Sequence, residues 1–92
     1  MSRRVFKYTV LVDDQPHSFK LTGSPLHIEA PYPGEAVDFW AEHDDEALEF
    51  TRTYLVVGTG HELPKCTRYI GTAKVPRVGL VWHLVELVKS CQ

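Results

Sequence analysis

Ninety-two residues, 43% of them apolar and 24% charged, describe one globular domain of modest size and exclude a two-domain enzyme. Ten Lys and Arg against twelve Asp and Glu leave a formal charge of −2, which supplies no global field for nucleic acid or an anionic membrane. The apolar fraction is too high for a disordered chain.

The apolar period is 2 along most of the length, which predicts strands. From Val5 to Val12, the residues Phe6, Tyr8, Val10 and Val12 share one face. Asp13-Asp14-Gln15-Pro16 reads as a turn, after which His17, Phe19 and Leu21 alternate with Ser18, Lys20 and Thr22. Thr22-Gly23-Ser24-Pro25 breaks the chain again. Leu26, Ile28 and Ala30 then point one way, while His27 and Glu29 point the other.

Pro33 and Gly34 occupy the central positions expected of a type II turn between Tyr32 and Glu35. Val37, Phe39 and Ala41 follow, alternating with Asp38, Trp40 and Glu42, and His43-Asp44-Asp45-Glu46 reads as a polar connection. Ala47 to Val57 favours a strand through Thr51, Thr53, Val56 and Val57, with Leu48, Phe50, Tyr54 and Val56 on one face. Gly58 to Pro64 is a loop, and Thr67 to Val75 a strand in which Gly71 marks a bulge or a close approach. Gly79 to Val88 is apolar on both faces; it suits a helix as well, but Val81, Val85 and Val88 favour a buried strand. Six to seven short strands with regular turns predict an all-β domain, a small antiparallel barrel or sandwich. That single domain takes in residues 1–92, with its core over roughly 5–88.

No apolar run reaches the length of a membrane span, and Met1-Ser2-Arg3-Arg4 leads straight into alternating residues without a signal-type apolar region. Cys66 and Cys91 are the two cysteines, too few and too far apart for a metal motif or a dense disulfide framework. A reducing cytoplasm is the expectation, with a bridge between the two thiols left open.

The near-neutral total conceals a division. Residues 1–20, 21–51 and 52–92 carry +2, −8 and +4 respectively, and the middle segment holds no Lys or Arg. One reading is that acidic and basic parts pair across the fold or keep a surface solvated. A sharper reading uses the turn at Pro33-Gly34. With Tyr32 opposite Glu35, the register sets Ile28 against Phe39 and Leu26 against Ala41 on the buried side. On the other side it sets His27 against Trp40 and Glu29 against Asp38. Like charges face one another there at a cost, and a large indole stands between Asp38 and Glu42. Acidic residues around an aromatic anchor suit a protein-binding patch made of His27, Glu29, Asp38, Trp40 and Glu42. The competing reading packs Trp40 against a second layer.

The chemical motifs are thin. Gly58-Thr59-Gly60 lacks the third small residue of a dinucleotide fingerprint, since Leu63 stands there, and no helix follows. The loop Gly58, Thr59, Gly60, His61 and Glu62 is still the best-placed candidate for chemistry, although no second group for acid–base work can be named. The histidines at 17, 27, 43, 61 and 83 form no finger-like pair, and His83 between Trp82 and Leu84 reads as a satisfied core histidine. No metal, cofactor or catalytic residue is expected. Arg52, Tyr54, Lys65, Arg68, Tyr69, Lys74, Arg77 and Trp82 have the composition of a basic stacking surface for nucleic acid, with the acidic middle opposing it.

Three stretches, Val57-Gly58-Thr59-Gly60-His61, Tyr69-Ile70-Gly71-Thr72 and Leu80-Val81-Trp82-His83-Leu84-Val85-Glu86, carry a resemblance. With Phe6-Lys7-Tyr8, Leu26-His27-Ile28 and Trp40-Ala41, they make the chain resemble a family of small proteins encoded by phages of actinobacteria, from about Val5 to Leu87. The tail from Leu87 to Gln92 departs from that pattern. The resemblance implies a small cytoplasmic protein made during infection of a bacterial host, and it brings no established activity or catalytic residue with it. Taken together, the expectation is a non-enzymatic β domain that binds a protein partner, a host protein among the candidates. The alternatives are a nucleic-acid-binding module on the basic C-terminal half, and a self-assembling structural or virion-associated protein whose edge strands pair between copies.

Overall fold

The computed structural model describes residues 2–32 and 34–89. Seven strands and one short 3-10 turn follow in the order β1 (Arg3–Leu11), β2 (His17–Leu21), β3 (Pro25–Tyr32), β4 (Ala36–Asp44), β5 (Phe50–Gly58), β6 (Thr67–Val75), the turn Pro76–Val78 and β7 (Leu80–Leu87). They form two antiparallel sheets, β1-β4-β3 and β2-β5-β7-β6, packed face to face as a sandwich. The domain is mainly β, as the period-2 pattern predicts. No helix among the described residues is long and apolar enough to cross a membrane.

Consecutive strands do not all pair. β1 and β2 are joined by a tight bend in which Asp14 adopts a left-handed φ of 60°. The Asp13 carboxylate accepts the Gln15 N–H at 3.0 Å and bonds His17 Nε2 at 2.8 Å. These contacts satisfy the bend locally, and the chain leaves it in the other sheet. β1 therefore pairs along its whole length with β4, from Arg3 opposite Asp44 to Leu11 opposite Ala36, while β2 pairs with β5.

The β3–β4 hairpin carries the register predicted at its middle. His27 lies opposite Trp40, Ile28 opposite Phe39 and Glu29 opposite Asp38. Its two ends differ from prediction. Tyr32 pairs with Ala36 rather than Glu35, and Pro25 rather than Leu26 pairs with Ala41. Register shifts between Pro25 and His27 and between Glu29 and Tyr32 absorb the difference, since each bulge sets two residues against one. Gly34 takes the left-handed φ of 72° that the third position of a type II turn needs; its neighbour in that predicted turn, Pro33, lies outside the described residues.

The inward-facing residues of both sheets meet in one core. Val10, Val37, Phe39, Tyr54 and Leu84 are fully buried. Phe39 lies 5.1 Å from the Tyr8 ring, 5.6 Å from Phe19 and 5.0 Å from Tyr54, so four aromatic rings from β1, β2, β4 and β5 join the sheets. Burying one such side chain contributes about 1.5–3 kcal/mol. β7 lies between β5 and β6 and buries Leu84 on one face and Val85 on the other, which is why its sequence is apolar on both. Gly71 meets both of its predicted roles. β6 shifts register between Tyr69 and Gly71, and a Cβ at Gly71 would stand 3.1 Å from Ile28 Cδ1. At this corner the edge strands β3 and β6 pack against each other.

Two predictions at the start of β5 are corrected. Leu48 and Phe50, expected on one face with Tyr54 and Val56, are exposed where those two are buried, because the strand begins only at Phe50 and Leu48 stands in the connection before it. His43 and Asp44 belong to β4 and not to that connection, since pairing with Arg4 and Arg3 of β1 extends the strand past its apolar alternation.

Candidate functional site

The five residues proposed as a patch, His27, Glu29, Asp38, Trp40 and Glu42, come from β3 and β4 and face away from the core on the three-stranded sheet. Alternation dictates this, because Val37, Phe39 and Ala41 of the same strand are buried against the other sheet. Trp40 is half-buried, with the His27 ring at 5.7 Å. His27 Nε2 lies 3.8 Å from Glu29 Oε1, and both side chains are exposed.

β1 completes this face, a contribution that the hairpin alone did not reveal. Lys7 lies opposite Trp40, Thr9 opposite Asp38 and Val5 opposite Glu42. Asp38 is only 1% exposed, against the expectation of an outward acidic side chain. Its burial is made tolerable by β1: Thr9 Oγ1 donates a 2.7 Å hydrogen bond to Oδ1, and Lys7 Nζ stands 4.0 Å from Oδ2. A buried carboxylate needs such partners. Arg3 forms an ion pair with Glu42, and Arg4 reaches Asp45 at 3.4 Å. The basic N-terminal and acidic middle segments thus pair across β1 and β4. The face that remains is an indole bordered by His27 and Lys7, with the Glu29 carboxylate exposed beside it.

The loop after β5 brings a second group together. His61 N–H bonds the Gly58 carbonyl at 3.1 Å, and Gly60 turns the chain at a φ of 88°. The His61 ring folds back over Gly58, where an added Cβ would meet it at 3.2 Å and Trp82 at 3.3 Å. Thr59 Oγ1 reaches His83 Nε2 at 2.7 Å, and the opposite ring nitrogen of His83 faces Tyr69 OH at 3.1 Å and Thr72 Oγ1 at 3.2 Å. Tyr69 and Thr72 also bond each other. His83 is therefore satisfied, as predicted, but on the outer face of the four-stranded sheet rather than in the core. Val57, Leu63, Tyr69 and His83 line a cleft of about 240 Å3 with this loop. His83 thus bonds Thr59 of this loop, and not His61 or Glu62, the pair for which an acid–base partner was sought. Glu62 stays exposed.

A third cluster was not foreseen. Glu86 on β7 is buried, and both its oxygens accept hydrogen bonds at 2.7 Å from Arg52, one from Nε and one from Nη2. Arg68 adds a third at 2.5 Å, and Arg52 Nη1 also donates to Ser24 Oγ at 3.0 Å. The register explains the arrangement, because Glu86 lies opposite Tyr54 on one side and Arg68 on the other. The two guanidinium groups, Arg52 first, hold the Glu86 carboxyl below the usual carboxylate range. Burial pushes the Tyr54 phenol up to about 12.

These contacts bear on the nucleic-acid alternative. Tyr54 is fully buried, Trp82 packs against the core, and Arg52 and Arg68 are engaged by Glu86. The eight residues named for a stacking surface are thus not gathered on one exposed face. Cys66 is disulfide-bonded, and Cys91 lies outside the described residues. Disulfides persist in oxidising surroundings, so this cysteine lends no support to the expected reducing cytoplasm.

The family model described as a domain of unknown function, DUF7352, matches residues 1–91. The chain belongs to this DUF7352 family. No curated protein and no solved structure matches it. Both candidate regions, the Trp40 face and the Thr59–His83 cluster, lie inside the matched span, so each is a feature of a DUF7352 domain rather than of an appended segment.

Proposed function

We propose that this DUF7352 domain acts by binding a protein partner, not by catalysis, and that the partner docks on the outer face of the three-stranded sheet. The observation that carries the reading is the half-buried Trp40 set between His27 and Lys7, with exposed Glu29 alongside. Trp is the residue most enriched at energetic centres of interfaces. An indole next to a carboxylate suits a basic side chain, which stacks on the ring as it pairs with the acid. The partner is accordingly a protein that presents an Arg or Lys within an otherwise apolar contact. The resemblance to small phage-encoded proteins supports a bacterial host protein as that partner.

The test is comparative capture from bacterial lysate with the wild-type domain, Trp40→Ala and Glu29→Lys, each first verified as folded by circular dichroism. A partner retained by the wild type and lost by both variants supports the proposal. A partner held equally by all three refutes it.

A further inference from the structure

We propose that a second copy of this chain pairs with β1, antiparallel and centred on Tyr8, so that two three-stranded sheets join into one of six strands. Among the described residues β1 is an edge: it pairs with β4 on one side only, which leaves a row of backbone N–H and C=O groups along nine residues, Arg3–Leu11, to be satisfied. Natural edges of this length are guarded by lysines, prolines or bulges. Here no proline or bulge interrupts the strand, and its pairing with β4 runs without a register shift. The three basic residues are not free guards either. Arg3 is paired with Glu42, Arg4 with Asp45, and Lys7 lies beside Asp38, so the positive charge of the edge is balanced within the chain.

Alongside its charged and polar residues, β1 exposes three large apolar side chains. Val5 is 59% exposed, Leu11 51% and Phe6 41%. Val5 and Leu11 are odd-numbered and share the outer face with Lys7 and Thr9. Two-fold antiparallel pairing sets residues of equal parity opposite each other, so each register is defined by its central residue. Centring on Tyr8 puts Val5 against the partner's Leu11 at both ends, Phe6 against Val10, and Lys7 against Thr9. Centring on Lys7 would oppose the two lysines directly. Centring on Phe6 would oppose the two Phe6 rings, but it would set Val5 against Lys7 and leave Leu11 opposite a position before the strand begins. Centring on Thr9 would set Leu11 against Lys7 and Val5 against Asp13. Only the Tyr8 register opposes Val5 and Leu11, the two most exposed apolar residues of the strand, and it avoids like charges, which are the terms that decide cross-strand pairing.

A single strand pair buries less than the roughly 1,200 Å2 of a standard stable interface, so the dimer is concentration-dependent. The experiment is sedimentation equilibrium over a concentration series, on the wild type and on the double variants V5K/L11K and V5K/L11E, with circular dichroism confirming the fold of each. In the Tyr8 register, V5K/L11K opposes lysines across the interface and weakens dimerisation at least tenfold. V5K/L11E opposes lysine and glutamate and keeps the dimer. A wild type that stays at the single-chain mass at every concentration overturns the proposal. So do two variants that dimerise equally, and so does loss of the dimer in both.

Discussion

Replacing Glu86 by Gln keeps the shape of the side chain and removes its charge, and the structure sets the size of the effect. Arg52 has a side chain only 16% exposed and spends two donors on Glu86, whereas Arg68 is 59% exposed. Arg68 can return to water, so its loss of a partner costs little. Arg52 cannot, and among the described residues it keeps the bond to Ser24 and its place over the Tyr54 ring. Removing one member of a buried pair costs about 3–5 kcal/mol. The remaining Ser24 bond and the amide of Gln offset part of this, so E86Q is expected to lose about 2–4 kcal/mol. Arg68→Ala, with an exposed partner, is expected to lose no more than about 1 kcal/mol. The pH dependence follows from the depressed pKa of Glu86. Its contribution is complete above the ordinary carboxylate value of 4.5 and fades as pH falls through the lower folded-state value. Urea unfolding at pH 7, and again at steps below pH 4.5, measures both quantities. The gap between wild type and E86Q should be wide at pH 7 and narrow progressively in acid. An E86Q variant within about 0.5 kcal/mol of wild type, or a gap that does not change with pH, would refute the reasoning.

Other consequences are equally open to measurement. Tyr54 OH is buried without a hydrogen-bond partner among the described residues, so Tyr54→Phe should be neutral or stabilising by about 1 kcal/mol in urea unfolding. With its phenol pushed up to about 12, the unfolded chain ionises first, and wild-type stability should fall as pH rises above 10 while Tyr54→Phe declines less. Gly23→Ala should lower the melting temperature more than Gly71→Ala. The new Cβ at 23 meets the backbone oxygen of Glu42 at 2.9 Å, but at 71 it meets only the tip of Ile28 at 3.1 Å, which can rotate away. Phe39→Ala removes the ring shared by Tyr8, Phe19 and Tyr54 and should cost about 3–5 kcal/mol, enough to leave much of the chain unfolded at 37 °C by circular dichroism.

What could be read from the residues was whatever is local. Alternation placed the strands, and one turn at Gly34 aligned His27 with Trp40 and Glu29 with Asp38, because a hairpin register depends on the turn between its own strands. β1 was also read as a strand, yet its neighbour was not legible. The bend at Asp13–Gln15 carries it to a different sheet from β2, and nothing nearby in sequence specifies that β4 lies beside it. The consequences for the site were therefore hidden: Thr9 and Lys7 sequester Asp38, Arg3 balances Glu42, and an apparently acidic hairpin becomes an aromatic face with one exposed carboxylate. Arg52, Glu86 and Arg68 each stood alone in sequence; their meeting depends on β7 lying between β5 and β6. The same non-local order brings His83, Tyr69 and Thr72 to Thr59. Period 2 set Phe50 on one face with Tyr54 and Val56, but it could not show that the strand begins there, where Phe50 stays exposed.

Amide hydrogen exchange of the domain, alone and with its captured partner, tests the central claim most directly. If the partner docks on the Trp40 face, exchange slows in the segments 27–29 and 38–42 and in β1 beside them, with the far sheet unchanged. Protection confined to β2, β5, β6 or the loop after Gly58 would contradict it.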